Sequence, residues 1–242
     1  MRLELGVNID HIATLRQARG ANTPNPLEAA QACVDLGAEY IVIHLRKDRR
    51  HIQENDLRLL TKHLRKHIHL EMSATQEMTD LAVKYKPFSV CIVPEYPSEL
   101  TTSGGLKLDK THLPAIQKTV NRLKEEGIKV SLFVDTKPND IRAAKRTGAD
   151  IVELCTKNYS EAKTQQQRQA YLEELSMCSI LGRELGLEVH SGHGLDYENV
   201  AEVAALSGMQ CLNIGFSIIS RAVFVGLPQA ILEMRQRISR EI

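Results

Sequence analysis

The sequence contains no tryptophan, and phenylalanine and tyrosine together make up only 4% of its 242 residues. Stacking platforms for single-stranded nucleic acid are therefore not expected. Neither sign of charge is in excess. Lysine and arginine number 31 against 30 acidic residues, a net charge of +1, so no global field recruits nucleic acid or an anionic membrane. No apolar run approaches the roughly 20 residues of a membrane span, and the opening MRLELGVNID has no apolar leader segment, which predicts a cytoplasmic protein without a membrane partner. The five cysteines (Cys33, Cys91, Cys155, Cys178 and Cys211) are scattered and never form a Cys-x-x-Cys pair, which argues against structural zinc and a disulfide framework. Most fall in apolar runs, where a reduced cysteine serves as a small core residue. A Pro-, Gly- or Ser-rich linker is also missing, so residues 1–242 are expected to form one domain.

What is present is a repeat of short β-branched runs, each followed by an amphipathic stretch. The runs fall at 3–9, 40–45, 68–72, 88–94, 128–135, 150–156, 187–192 and 211–216. They are near-continuous in apolar character, as parallel strands covered on both faces should be. Helices are expected around 26–36, 55–66, 75–86, 110–126, 138–147, 160–186, 196–207 and 217–240, with Gly37, Gly127, Gly148 and Gly186 as left-handed caps at helix-to-strand joins. Eight such units predict an α/β fold, a (β/α)8 TIM barrel with extra helices. An open doubly wound sheet is the rival, but no G-x-G-x-x-G follows the first run. Two polar segments, 11–25 and 95–109, are read as long loops on the strand-to-helix side, where barrels place their active sites.

The strand ends carry the chemistry. The first run stops at Asn8, Asp10 and His11; the second at His44 and Arg46, followed by Arg49, Arg50 and His51. Later ends supply Glu71, Glu95, Asp135, Glu153 with Thr156, the Gly192-His193-Gly194 turn, and Asn213 with Gly215. Any one of these could be a satisfied core group or a surface ion pair. A whole ring of them at one mouth would be costly to bury without a function. Histidine beside carboxylate suits serial proton transfer. Gly-His-Gly and the glycine opening the eighth helix expose backbone N–H groups for a phosphate, and Arg46, Arg49, Arg50 and Arg19 could supply a second anion site. Two anion sites suggest two phosphorylated substrates or one bisphosphate. Asp10, His11, His44, Glu71 and His193 could ligate a divalent ion, but the first strand lacks a His-x-His pair and no metal is expected.

The motifs GVNIDHIATLRQARG (6–20), HLRKDRRHI (44–52), LEMSATQEM (70–78), VPE with TTSGGL (93–106), VSLFVD (130–135), SGHGL (191–195) and LNIG (212–215) resemble the pyridoxine 5′-phosphate synthase family. The resemblance runs from about residue 5 into the last helix. It implies a barrel with extra helices and a ring closure between 1-deoxy-D-xylulose 5-phosphate and 3-amino-2-oxopropyl phosphate. The products are pyridoxine 5′-phosphate, phosphate and water, formed without metal or organic cofactor. By position, His44 and Glu71 would accept protons, His193 would donate one, and Glu153 would stabilise a transition state. Asn8, Asp10, His11, Arg19, Arg46, His51, Thr101, Gly194, Gly215 and Phe216 would line the substrate and phosphate sites. A homo-oligomer, an octamer, is implied as well, with contacts expected at 160–186 and around Arg19. Two positions depart from the family pattern: His190-Ser191 stands in place of Asn-Ala, and Phe216 in place of histidine. If position 216 offers only its backbone N–H, phenylalanine changes nothing; if a side chain is needed there, His190 or Ser217 would have to supply it.

Overall fold

Each expected apolar run becomes a strand of four to six residues in the computed structural model, which describes residues 2–95 and 104–239. The strands are β1 (Glu4–Asn8), β2 (Tyr40–His44), β3 (Ile68–Met72), β4 (Ser89–Ile92), β5 (Lys129–Val134), β6 (Ile151–Cys155), β7 (Glu188–Gly192) and β8 (Cys211–Ile214). All pair in parallel and in chain order, and β8 returns to β1, closing the barrel. The helices are α1 (Asp10–Arg19), α2 (Pro26–Asp35), α3 (Glu54–Leu64), α4 (Gln76–Tyr85), α5 (Leu113–Glu125) and α6 (Pro138–Arg146), then α7 (Lys157–Ser160), α8 (Gln165–Glu184), α9 (Val200–Ala204), α10 (Phe216–Val225) and α11 (Leu227–Ile238). The glycines expected to close helices, Gly37, Gly127, Gly148 and Gly186, all take positive φ.

The strands are buried on both faces, but the two faces differ. Outward residues such as Leu5, Ile41, Ile43, Leu70, Ile92, Leu132 and Val152 pack under the helices as the main apolar core. Each such fully buried side chain contributes roughly 1.5–3 kcal/mol. The alternate, inward positions carry Tyr40, His44, His69, Glu71, Ser131, Glu153, His190 and Asn213. The runs therefore alternate apolar with polar more than their overall hydrophobicity suggests, and the barrel interior is largely polar, with a small apolar cluster that includes Cys91, Phe133 and Cys155.

Three segments differ from the sequence expectation. Residues 11–19, read as part of the 11–25 loop, belong to α1; the helix ends at Gly20 (φ 64°), whose N–H reaches Gln17, so the prolines at 24 and 26 act only after that cap. The helix expected over 160–186 starts later, as α8 at Gln165, with Thr164 capping the Gln167 N–H, and the short α7 precedes it. The last stretch divides at Gly226 (φ 82°), where Pro228 opens α11. After the undescribed residues 96–103, the chain returns to the barrel where the Gly105 N–H donates to Asp135 (2.7 Å). The five cysteines are free and buried.

Candidate active site

At the C-terminal ends of the strands a cavity of about 720 Å³ opens. Its first wall is built by the turn from β1 into α1. Asn8 accepts the Asp10 N–H (2.9 Å) and donates to the Asp10 carboxylate (3.0 Å), while the other Asp10 oxygen accepts the His44 N–H (2.8 Å). This ties the end of β1 to the end of β2 and explains why the first strand stops in polar groups. His51 stands nearby with its Nδ1 accepting the Ile52 N–H (2.9 Å), which puts its ring proton on Nε2. Burial, partly offset by Asp10, holds His51 below the usual histidine range.

Three ionisable groups meet at the centre. His44 Nδ1 lies 3.6 Å from Glu71, and its Nε2 lies 3.0 Å from Glu95. Burial, then the charges of Glu153 and Asp10, raise Glu71 well above the ordinary carboxylate range. That makes it a stronger base than a surface glutamate. Glu153, 2% exposed, forms the floor; it accepts from Asn213 (2.8 Å) and from the Cys91 thiol (3.7 Å).

A second wall, two strands round the barrel from β1, is the turn after β7. Thr156 donates to the carbonyls of Gly192 (2.7 Å) and His193 (2.6 Å), and Asn199 donates to that of Gly194 (3.0 Å). Held this way, His193 and Gly194 both adopt φ of 81°. At Gly194 a Cβ would run into Ser160, so only glycine fits without displacement. Burial and Lys157 lower the His193 imidazole below its usual range, against the opposing pull of Glu161 and Glu153. Beside this turn, Gly215 caps α10 and aims the helix N-terminus into the cavity. The lining also includes Arg46, 5% exposed, and Arg50, which Asp48 grips at 2.6 Å. Arg50 pulls Asp48 down to about 2.

Twelve of the expected site residues line this cavity: Asn8, Asp10, His11, His44, Arg46, His51, Glu71, Glu153, His193, Gly194, Gly215 and Phe216. Arg19 does not; it sits exposed on the last turn of α1, and the buried arginine of that helix is Arg16. Arg49 turns away to Glu77. Thr101 lies outside the described residues. Phe216 is 70% exposed, opens α10 and meets His11 edge-on, with centroids 5.3 Å apart. His190 cannot substitute for a side chain there. It is packed deep in the barrel against Tyr40 and His69. Ser217 does line the cavity, with its hydroxyl bonded to the Leu195 carbonyl. Thr14, Val93, Phe133, Leu195, Asp196 and Ile214 also line the cavity; none is an expected site residue, although all but Asp196 fall within the motifs quoted above.

Among the described residues, two donor sets lie within 4.8 Å: Asp10, His44 and Glu71, and His69, Cys91 and Glu153. In the first, both Asp10 oxygens already accept hydrogen bonds and His44 lies between two carboxylates, an arrangement suited to moving protons.

A family model described as pyridoxal phosphate biosynthesis protein PdxJ matches residues 5–240. The chain is 58% identical to a pyridoxine 5′-phosphate synthase of Elusimicrobium minutum over 238 residues, covering 98% of each chain. It is 51% identical to one of Synechococcus sp. over 234 residues, covering 97% of this chain and 98% of the relative. Among solved structures it is similar to a 4-hydroxy-2-oxoglutarate aldolase/2-deydro-3-deoxyphosphogluconate aldolase from TTHB1 (TM-score 0.63, 13% identity, covering 97% of this chain and 94% of the other). A phosphoribosyl anthranilate isomerase from Thermus thermophilus is also similar (TM-score 0.59, 14% identity, 98% of each chain). At such identities these two speak for the barrel fold alone.

Proposed function

The chain belongs to the pyridoxal phosphate biosynthesis protein PdxJ family and is an enzyme of pyridoxine biosynthesis, and from that premise we propose how its mouth performs the ring closure. The substrates are 1-deoxy-D-xylulose 5-phosphate and 3-amino-2-oxopropyl phosphate, and the products pyridoxine 5′-phosphate, phosphate and water. The observation that carries this reading is one acid–base pair, Glu71 and His44, backed by Glu95 and sharing a single cavity with two candidate anion cradles. One phosphate is bound by the N–H groups of Gly194, Gly215 and Phe216, the other by Arg46, Arg50 and His51. Holding both substrates converts the amine–ketone condensation into a step between positioned partners.

Glu71, raised in pKa, and His44 accept protons as carbon–carbon and carbon–nitrogen bonds form. Glu153, fixed by Asn213, faces positive charge developing on the condensing nitrogen. His193 donates a proton. Burial keeps its ring neutral at rest, and a phosphate dianion seated beside it on Gly194 draws a proton onto it. None of these steps calls on a metal or an organic cofactor.

Incubation of the purified protein with both substrates should release phosphate and produce the absorbance of pyridoxine 5′-phosphate. Chelation and borohydride should leave the rate unchanged, and Glu71→Gln, nearly isosteric, should lose about 100-fold or more while keeping its fold. Ligand uptake without phosphate release would overturn the reading.

The rest of the proposal concerns setting. The whole chain acts as one catalytic domain, in the cytoplasm, where its five buried thiols stay reduced. No described helix is long and apolar enough to cross a membrane. The working form is a homo-oligomer, an octamer. Its support is the exposed apolar side chains of Met177 and Ile180 on α8, Leu15 on α1 and Phe224 on α10, the last 83% exposed. Sedimentation at micromolar concentration should show the assembly, and a monomer alone would refute it.

A further inference from the structure

Glu95 stands at the end of β4 and takes no place in the cavity wall, yet its side chain is 3% exposed and reaches the catalytic histidine. Its Oε1 lies 3.0 Å from His44 Nε2, and its Oε2 accepts the Lys47 N–H (3.2 Å). Burial alone would push its carboxyl up. The His44 hydrogen bond, the charge of His44, the Lys47 N–H and Arg46 outweigh that and leave it below the usual carboxylate range. Glu95 is thus an anion, and an anion accepts hydrogen bonds only.

The geometry points to Glu95 as the positioning residue of the proposed reaction: it holds His44 as the Nε2–H tautomer, so that Nδ1 is the basic nitrogen facing Glu71. The inference rests on the reading of His44 as a proton acceptor. With Nε2–H donated to Glu95, the Nδ1 lone pair points to the carboxyl 3.6 Å away. When Nδ1 takes a proton, Glu95 stabilises the imidazolium that forms, as a buried carboxylate does for the histidine of a hydrolase triad. The other groups facing His44 do not compete for Nε2. Asp10, from α1, takes the His44 backbone N–H; the His51 ring lies 6.2 Å away centroid to centroid; and Arg46 on the same loop is a cation. The Lys47 bond has a second consequence. It fastens the segment bearing Arg46 and Arg50 to the end of β4, so that one carboxylate aligns the base and pins the start of an anion cradle.

The test pairs ring-nitrogen NMR of the 15N-histidine-labelled protein, without substrate, with steady-state kinetics. In the wild type, His44 should show a protonated Nε2 and an unprotonated Nδ1. Glu95→Ala should mix the two tautomers and lower kcat about 100-fold, with KM for both substrates within about threefold. Glu95→Gln keeps an acceptor but loses the charge; it should preserve the tautomer and lower kcat about tenfold. A wild type already in the Nδ1–H tautomer, a normal kcat in the Ala variant, or a fall in its kcat with unchanged nitrogen signals would each overturn the proposal. So would a loss expressed wholly in KM. A wild-type protein that made no product but showed the Nε2–H tautomer would count against the ring-closure reading and leave the positioning of His44 standing.

Discussion

His193, the proposed proton donor, has a φ of 81°, in the region that favours glycine. In the proposed reaction the backbone of this turn binds phosphate through its N–H groups while the imidazole handles the proton. The two roles should separate on mutation. His193→Asn keeps a residue that tolerates left-handed backbone, so KM should stay within about threefold while kcat falls about 100-fold from loss of the acid. Gly194→Val should do the reverse. Its Cβ meets Ser160 and its φ of 81° excludes a β-branched residue, so KM should rise at least about tenfold. Single-turnover rates and substrate titrations of the two variants check this. If His193→Asn lost binding and kept its chemical rate, the division would fail.

At the level of elements, the site depends on a tie made behind it. Arg16 on α1 forms a bidentate pair with Asp56 on α3 (2.6 and 2.7 Å) and also donates to the His51 carbonyl (3.3 Å). Asp56 in turn accepts the Gln53 N–H (2.8 Å) at the start of α3. Both side chains are about nine-tenths buried. Asp56→Ala leaves a buried guanidinium unpaired and removes a helix-start bond. It should lower stability by about 3–5 kcal/mol in urea unfolding and raise KM as His51 loosens. Replacing both partners together, Arg16→Met with Asp56→Leu, should cost far less, because no charge is stranded. Equal losses from the single and double variants would show that the pair is not what joins the helices.

For the molecule as a whole, the polar barrel interior makes stability depend on pH. Burial, together with His69 and Lys129, holds His190 well below the ordinary histidine range, and His51 and His193 are lowered too. A histidine depressed in the folded state stabilises fully above its unfolded value of about 6.5. That stability is lost as pH falls toward the folded value, because the unfolded chain then binds the extra proton. Each such histidine can contribute a slope of up to about 1.4 kcal/mol per pH unit. Glu71 acts with the opposite sign: its raised value stabilises at low pH, and the contribution is lost as pH rises through that value. Urea midpoints measured from pH 7.5 down to 5 should therefore fall, and His190→Asn should flatten the decline. An unchanged slope in that variant would show that His190 does not drive the acid sensitivity.

Read alone, the sequence determined the eight strands, their parallel order and the barrel, because β-branched runs, amphipathic stretches and glycine joins repeat with a period that local physics can read. It also marked the ring of strand-end residues, since Asp10, His44, Glu71, Glu153 and His193 interrupt apolar runs where polar groups are costly. Only the tertiary structure decided that residues 10–19 are helical, that Arg16 is an internal brace while Arg19 faces solvent, and that His190 lies deep in the barrel, packed against His69. It alone brought Glu95 to His44, 51 positions away along the chain. The physical reason is the same in each case: a strand's inward or outward face follows from local alternation, but which side chains meet across the barrel depends on its closure and register.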